Sequence, residues 1–207
     1  MKIWICINSV HFNSVEFCFF SILAHPMFKP IHFETDEFII HPFRAEELER
    51  FDQLAEEVFA ILSDEKTLTF IPSKRLHSLE ETKSFLKITL VNFHTGRNFI
   101  HFITSKQHHK VVGIIDLISP NVAMEHYKID RYPYFIEFYL SSFASGCYLM
   151  TQLLPLVVQG VLNQGIPSLA AVVNRRNTAA KKVLQKAKFL LKDRFDIAQD
   201  YYEASRG

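Results

Sequence analysis

The chain has 207 residues, 48% hydrophobic and 22% charged, which suits one globular domain with a sizeable core. A formal net charge of +1 supplies no global field to draw nucleic acid or an acidic membrane, and no apolar run reaches the ~18 to 20 residues that cross a bilayer, so neither partner is expected. Cys6, Cys18 and Cys147 lack paired spacing and the ten histidines include no HExxH, so neither a disulfide framework nor a metal site is expected.

Residues 1–26 stand apart. "FCFFSILAHPM" has the look of a signal-peptide core, although Lys2 is the only positive charge before it. The competing reading is an appended segment, packed by its aromatics against a domain spanning 27–207, because "MFKPIHFETDEFIIHPF" reads as a natural beginning at Met27. "EFIIHPF" (37–43) then reads as a strand. Over 44–62, Leu48, Phe51, Leu54, Ala55, Val58, Phe59 and Leu62 recur at helical spacing. "SLEE" (78–81) is a capping box: the Ser78 hydroxyl can accept from the Glu81 amide, and the Glu81 carboxylate can reach back to the Ser78 amide. A helix to about Leu90 is predicted.

"RNFIHFITS" and "KVVGIIDLIS" flank "KQHH", which predicts a hairpin. "YFIEFYLS" (134–141) is a further strand, with Ile136, Phe138 and Leu140 on one face and Phe135, Glu137, Tyr139 and Ser141 on the other. The apolar helix after Gly146 contains Pro155, which should kink it or shift its start. "SLAAVV" is a strand, "NTAAKKVLQKAKF" a helix that Asn177 can cap, and "FLLKDRFDI" and "QDYYEAS" a terminal strand pair. This order predicts an α/β fold, a mixed central sheet with helices on both faces.

Two features carry chemistry. A strand that turns sharply into a helix exposes unpaired amides and the positive end of the dipole, which suit a pyrophosphate. Residues 143–149 form such a junction, and Gly146 permits a close backbone approach; the plainer alternative is an ordinary turn. Glu137, on the more polar strand face, is either a proton acceptor or a half-exposed carboxylate paired with a Lys or Arg.

Taken together, "TLTFIPSKRLHSLEETKSFL", "NFIHFITSKQHHKVVGIIDL", "FIEFYLSSFASGCYLMTQLL" and "NTAAKKVLQKAKF" resemble, in order and spacing, the GNAT acyl-CoA N-acyltransferase superfamily and its ribosomal-protein N-acetyltransferase branch. The resemblance covers about residues 33–203. It implies the GNAT fold and, in the cytoplasm, transfer of an acetyl group from acetyl-CoA to a primary amine, either a protein N-terminus or a small amine, by a monomer or homodimer. It further implies that the Leu140 amide polarises the thioester carbonyl, that Phe143, Ser145, Gly146, Cys147 and Tyr148 meet the cofactor, and that the Asn177 amide bonds the pantetheine arm. Glu137 would take the proton of the amine.

This chain departs from the family pattern at several positions. Phe143 stands where the pattern has a basic or amide residue, and Tyr148 where it has a small one. Tyr148→Gly should therefore clear an obstruction at a backbone cost of up to ~1 kcal/mol. Ala180 and Leu184 stand where a Ser or Tyr often protonates the leaving thiolate, and Lys188 replaces a Gly. Arg175, Arg176, Lys181, Lys182, Lys186 and Lys188 form either a solvated basic face or a site for a phosphorylated nucleotide end. The rival to catalysis is a silent GNAT-fold binding module. Nucleic-acid binding through 175–194 is disfavoured by the neutral chain.

Overall fold

A computed structural model describes residues 28–146 and 148–206; the expectations for 1–26 and Cys147 lie outside them. Eight strands form one sheet in the order β1-β2-β3-β4-β5-β6-β8-β7. They are β1 (Phe33–Glu34), β2 (Phe38–Pro42), β3 (Asn98–Ser105), β4 (Lys110–Ile118), β5 (Tyr134–Leu140), β6 (Ser168–Asn174), β7 (Leu190–Arg194) and β8 (Gln199–Ser205). Every neighbouring pair is antiparallel except β5–β6. The hairpin predicted around "KQHH" is the β3–β4 pair, with a register shift at Ile103/Thr104.

Helices cover both faces, as predicted. One core gathers α6 (Leu149–Leu162) and α7 (Thr178–Lys186) against Ile115, Leu117, Ile136, Leu169 and Ala171. The opposite core packs α2 (Phe51–Leu62) and α4 (Leu79–His94) on Ile100, Phe102, Ile114 and Tyr139. Along β5, Ile136, Phe138 and Leu140 belong to the first core, while Phe135 and Tyr139 lie on the other face, so the alternation holds. Phe28 and Ile31 are buried in the first core, and the Ile31 amide donates to Nε2 of His101 at 3.0 Å. Burial holds the His101 imidazole neutral, its pKa lowered to about 4.

Local details differ from the sequence reading. The helix expected over 44–62 is divided into α1 (Ala45–Glu49) and α2 at Arg50, whose backbone turns out of the helix (φ −109°, ψ 31°). From there its guanidinium bonds both oxygens of Glu57 at 3.0 Å, and the Glu57 carboxylate also accepts from the Val111 amide. The bonds tie α2 to β4, a long-range effect that helical spacing cannot carry. Helix α4 runs to His94 rather than Leu90. Ser78 caps it as predicted, but Glu81 reaches one residue further back and accepts from the His77 amide at 2.7 Å. Pro155 neither breaks α6 nor delays its start at Leu149; it leaves the Thr151 carbonyl without its helical donor. Two short helices, α3 (Glu65–Leu68) and α5 (Pro120–His126), and a 3-10 turn at Pro72–Lys74 were not anticipated.

Candidate active site

The sheet opens at its centre. The parallel β5–β6 pair holds register only at Tyr134↔Leu169 and Phe135↔Ala170. Beyond Phe135 the two strands share no further registered pair, and past that point β5 borders a cavity of about 490 Å³ that it shares with α6 and α7. Its walls include Phe138, Tyr139 and Leu140 of β5, Ser145, Gly146, Tyr148 and Thr151 of the loop and α6, and Asn177 and Ala180 at the start of α7.

Register decides which backbone groups face this gap. The Ser141 amide donates to the Val112 carbonyl at 2.9 Å. In an antiparallel ladder bonding alternates, so Tyr139 and Glu137 turn their backbone groups toward β4, and Leu140 and Phe138 turn theirs away, toward the gap. The Leu140 carbonyl confirms the parity, because it accepts from the Thr67 hydroxyl across the cleft at 2.7 Å. Its N–H points to the same side. Gly113 makes room for this strand: a Cβ there would lie 2.6 Å from Cδ2 of Leu140 and 3.1 Å from the Tyr139 carbonyl.

The loop from β5 to α6 is wound tightly, with the Ala144 and Ser145 amides both donating to the Ser141 carbonyl at 3.0 Å. Gly146 takes φ +87° and Tyr148 φ +56°. Tyr148 occupies the N-cap position of α6 without a side-chain cap bond, so the first-turn amides are not answered from there. The residue is 76% exposed and lines the rim of the cleft. The left-handed backbone reverses the expected cost of Tyr148→Gly, since glycine is the residue that tolerates this conformation. Phe143 does not line the cleft. It meets His108 edge-on at 5.3 Å beside a separate cavity of about 590 Å³.

On the far wall, Asn177 caps α7 through Oδ1, which accepts from the Ala180 amide at 3.0 Å. The side-chain NH₂ of a capping Asn remains a donor, here within the cleft lining. The basic cluster divides. Lys182 lines the cleft, whereas Arg175 is committed to Asp200 (2.6 Å) and to the carbonyls of Ile197, Asp196 and Gln199. Leu184 is fully buried, so only Ala180 of the two family positions faces the cleft. Lys188 takes φ +66° after α7, and the Phe189 and Lys188 amides bond the Leu184 and Gln185 carbonyls at 3.0 and 3.1 Å. This is a Schellman ending, which explains the glycine usual there.

A polar cluster lies on the face of β5 that carries Phe135 and Tyr139. Glu137 is paired with Lys74, Nζ to Oε2 2.7 Å, and accepts from the Tyr139 hydroxyl. Lys74 Nζ lies 5.7 Å from the Tyr139 ring centroid. Directly opposite Glu137 on β4 is buried Asp116, which accepts from the Asn98 amide at 3.1 Å. Burial raises the Glu137 carboxyl, but the charge and hydrogen bond of Lys74, with Tyr139, outweigh it and hold the pKa below the usual range. Burial dominates at Asp116 and lifts its carboxyl to about 6. Lys74 is disfavoured by burial, yet Glu137 and Asp116 hold it above the ordinary lysine range.

Glu137 is thus both on the expected face and ion-paired. Lys74 and Asp116 beside Glu137, and Thr67 on the Leu140 carbonyl, are the contacts that sequence reasoning missed. The one signal was Asp116, a lone carboxylate inside the apolar run "VVGIIDLI". Among the described residues there is no metal-binding group of His, Cys, Asp and Glu, and no helix long and apolar enough to cross a membrane.

Comparison with known proteins agrees with this geometry. The acetyltransferase (GNAT) domain family matches residues 39–190. No curated protein matches the sequence. The fold is similar to the ribosomal-protein-S5-alanine acetyltransferase from Vibrio fischeri, with TM-score 0.65 and 16% identity over 84% of this chain and 96% of that one. A ribosomal L7/L12 alpha-N-protein acetyltransferase in complex with coenzyme A gives 0.61 at 15% identity, over 83% and 95%. An aminoglycoside acetyltransferase in complex with coenzyme A gives 0.62 at 12% identity, over 82% and 95%. With the family match spanning most of its length and the opened strand pair at its centre, the chain belongs to the GNAT acetyltransferase family.

Proposed function

We propose that the protein is a cytoplasmic acetyl-CoA-dependent N-acetyltransferase, acting on a protein N-terminus or a small primary amine, with residues 27–207 as its functional unit. The observation that carries this reading is the Leu140 backbone directed into the β5–β6 gap beside the N-terminus of α6. Two structural neighbours, at low identity, are complexes with coenzyme A. The buried Phe28 and Ile31 support the boundary at Met27.

In this reading each group has one task. The first-turn amides of α6 and Gly146, with Ser145, Cys147 and Tyr148 beside them, hold the pyrophosphate. The Asn177 NH₂ donates to the pantetheine arm. The Leu140 amide stabilises the oxyanion that forms as a neutral amine attacks the thioester carbonyl. Glu137, kept ionised, receives the proton of the amine. The sulfur departs as the thiolate, whose conjugate thiol has a pKa of ~8.5, and needs no protein acid, consistent with Ala180 in the cleft wall. Most of the acceleration then comes from positioning.

Calorimetry with acetyl-CoA tests cofactor binding directly. Glu137→Gln should lower turnover by ~10²-fold and leave acetyl-CoA affinity nearly unchanged; an unaltered pH–rate profile in that variant rejects the proton-acceptor role. The Lys74–Glu137 ion pair and Ala180 favour a second reading, a silent binding module. Acetyl-CoA binding with no transfer to any amine selects it.

A further inference from the structure

The cluster around Glu137 has the composition of a site for an ammonium ion. Two carboxylates face each other across adjacent strands, Glu137 on β5 and Asp116 on β4. The Tyr139 ring presents a π face beside them, and its hydroxyl is spent on Glu137. The cation present is the protein's own. Lys74 stands on a 3-10 turn between α3 and α4 and brings its ammonium to the Glu137 carboxylate, 5.7 Å from the Tyr139 ring centroid.

We propose that Glu137, Asp116 and the Tyr139 ring form the ammonium-binding subsite for the acceptor, and that Lys74 fills it as a resident cation which an acceptor must displace. This rests on the N-acetyltransferase reading above and adds its specificity element. An acceptor amine that gives its proton to Glu137 must come within hydrogen-bond reach of that carboxylate, where Lys74 Nζ already sits at 2.7 Å. Lysine suits such a role, since its charge rides on a flexible stem and its three donors rotate freely. Lys74 and Glu137 line neither wall of the cleft themselves, but each keeps part of its side chain exposed (21% and 24%), and Tyr139, which bonds Glu137, does line it. Asp116, buried below, adds negative charge to the subsite without touching the amine. A weakly held small amine loses this competition; an acceptor with further contacts wins it. The ion pair thereby selects for acceptors that bind through more than their amino group.

The test removes the resident cation and supplies a substitute. Lys74→Ala deletes the side chain beyond Cβ, and n-propylamine reproduces the deleted part. With acetyl-CoA saturating, the KM for n-propylamine should fall at least about tenfold relative to wild type, the lower end of one charge-assisted hydrogen bond. Lys74→Arg should keep the wild-type KM, and adding Glu137→Gln to Lys74→Ala should abolish the gain. An unchanged KM in Lys74→Ala, or a gain that survives loss of the Glu137 charge, overturns the proposal. An activity-independent readout guards against a poorly folded variant. The unfolding midpoint of Lys74→Ala should rise with n-propylammonium, while wild type and the double variant stay unmoved; no rise also overturns the proposal. Failure of acetyl-CoA to bind wild type in calorimetry would instead defeat the N-acetyltransferase reading, and the midpoint experiment would still decide the ammonium site.

Discussion

Replacing Tyr148 by glycine probes the cofactor loop from two directions. The residue holds φ +56° at the start of α6, caps nothing and exposes 76% of its surface at the cleft rim. An L-residue in the left-handed region carries ~1 to 2 kcal/mol of steric cost, and glycine adds ~0.5 to 1 kcal/mol of unfolded-state freedom. The balance favours Tyr148→Gly by roughly 0.5 to 1 kcal/mol, or about 1 to 4 °C in the unfolding midpoint for a domain of this size. The ring also hangs beside the amides that would receive pyrophosphate. If its loss admits one further amide–phosphate bond, worth ~1.5 to 3 kcal/mol, the Kd for acetyl-CoA drops by about tenfold or more. Scanning calorimetry reads the first effect and titration calorimetry the second. A lowered midpoint would refute the strain argument, and weaker binding would show that the ring is a ligand contact.

Three further outcomes are expected. Asn177→Asp keeps an N-cap acceptor but loses the NH₂ donor and adds negative charge, so acetyl-CoA binding should weaken several-fold at unchanged thermal stability; equal affinities would reduce Asn177 to a cap. Lys188→Gly should raise stability by roughly 0.5 to 1 kcal/mol by relieving φ +66° in the Schellman ending, whereas Lys188→Ala, still strained, should gain nothing in the same denaturant titration. Asp116 is held at about 6 against an ordinary 3.8, so the folded state binds its proton more tightly. That contribution is fully present below pH ~4 and is lost as pH rises toward 6. Asp116→Asn should therefore gain on wild type by up to ~3 kcal/mol between pH 4 and pH 7, and a gap that does not change with pH would show that burial does not set this pKa.

The parts of the site legible from sequence are those with local causes. Asn177 caps because its side chain reaches an amide three residues on, and β5 alternates because a strand has period two. The hairpin and the order of elements follow from turn signals and periodicity. The missed parts depend on contacts between distant segments. Lys74 lies 63 positions before Glu137, in an irregular turn whose residues carry no periodic signal, and only the fold brings them together. Arg50 leaves its helix to meet Glu57 while that carboxylate also binds Val111 on β4. Phe143 occupies the expected loop, but which way a ring turns from a tight loop is decided by neighbours such as His108. The strain at Tyr148 was hidden for a related reason: a tyrosine gives no hint of the left-handed conformation that glycine would have announced.

The parting of β5 from β6 has a mechanical side. Hydrogen-bond ladders join β1 through β5 into one plate and β6, β8 and β7 into another, with two registered positions between them. Backbone cooperativity stops at that seam, and side chains of α6 and the sheet interior hold the plates together. An extended molecule with amide groups of its own, lying in the gap, would serve as a substitute strand. It would carry load from plate to plate, and amide hydrogens on both sides of the seam would then exchange as parts of a single body.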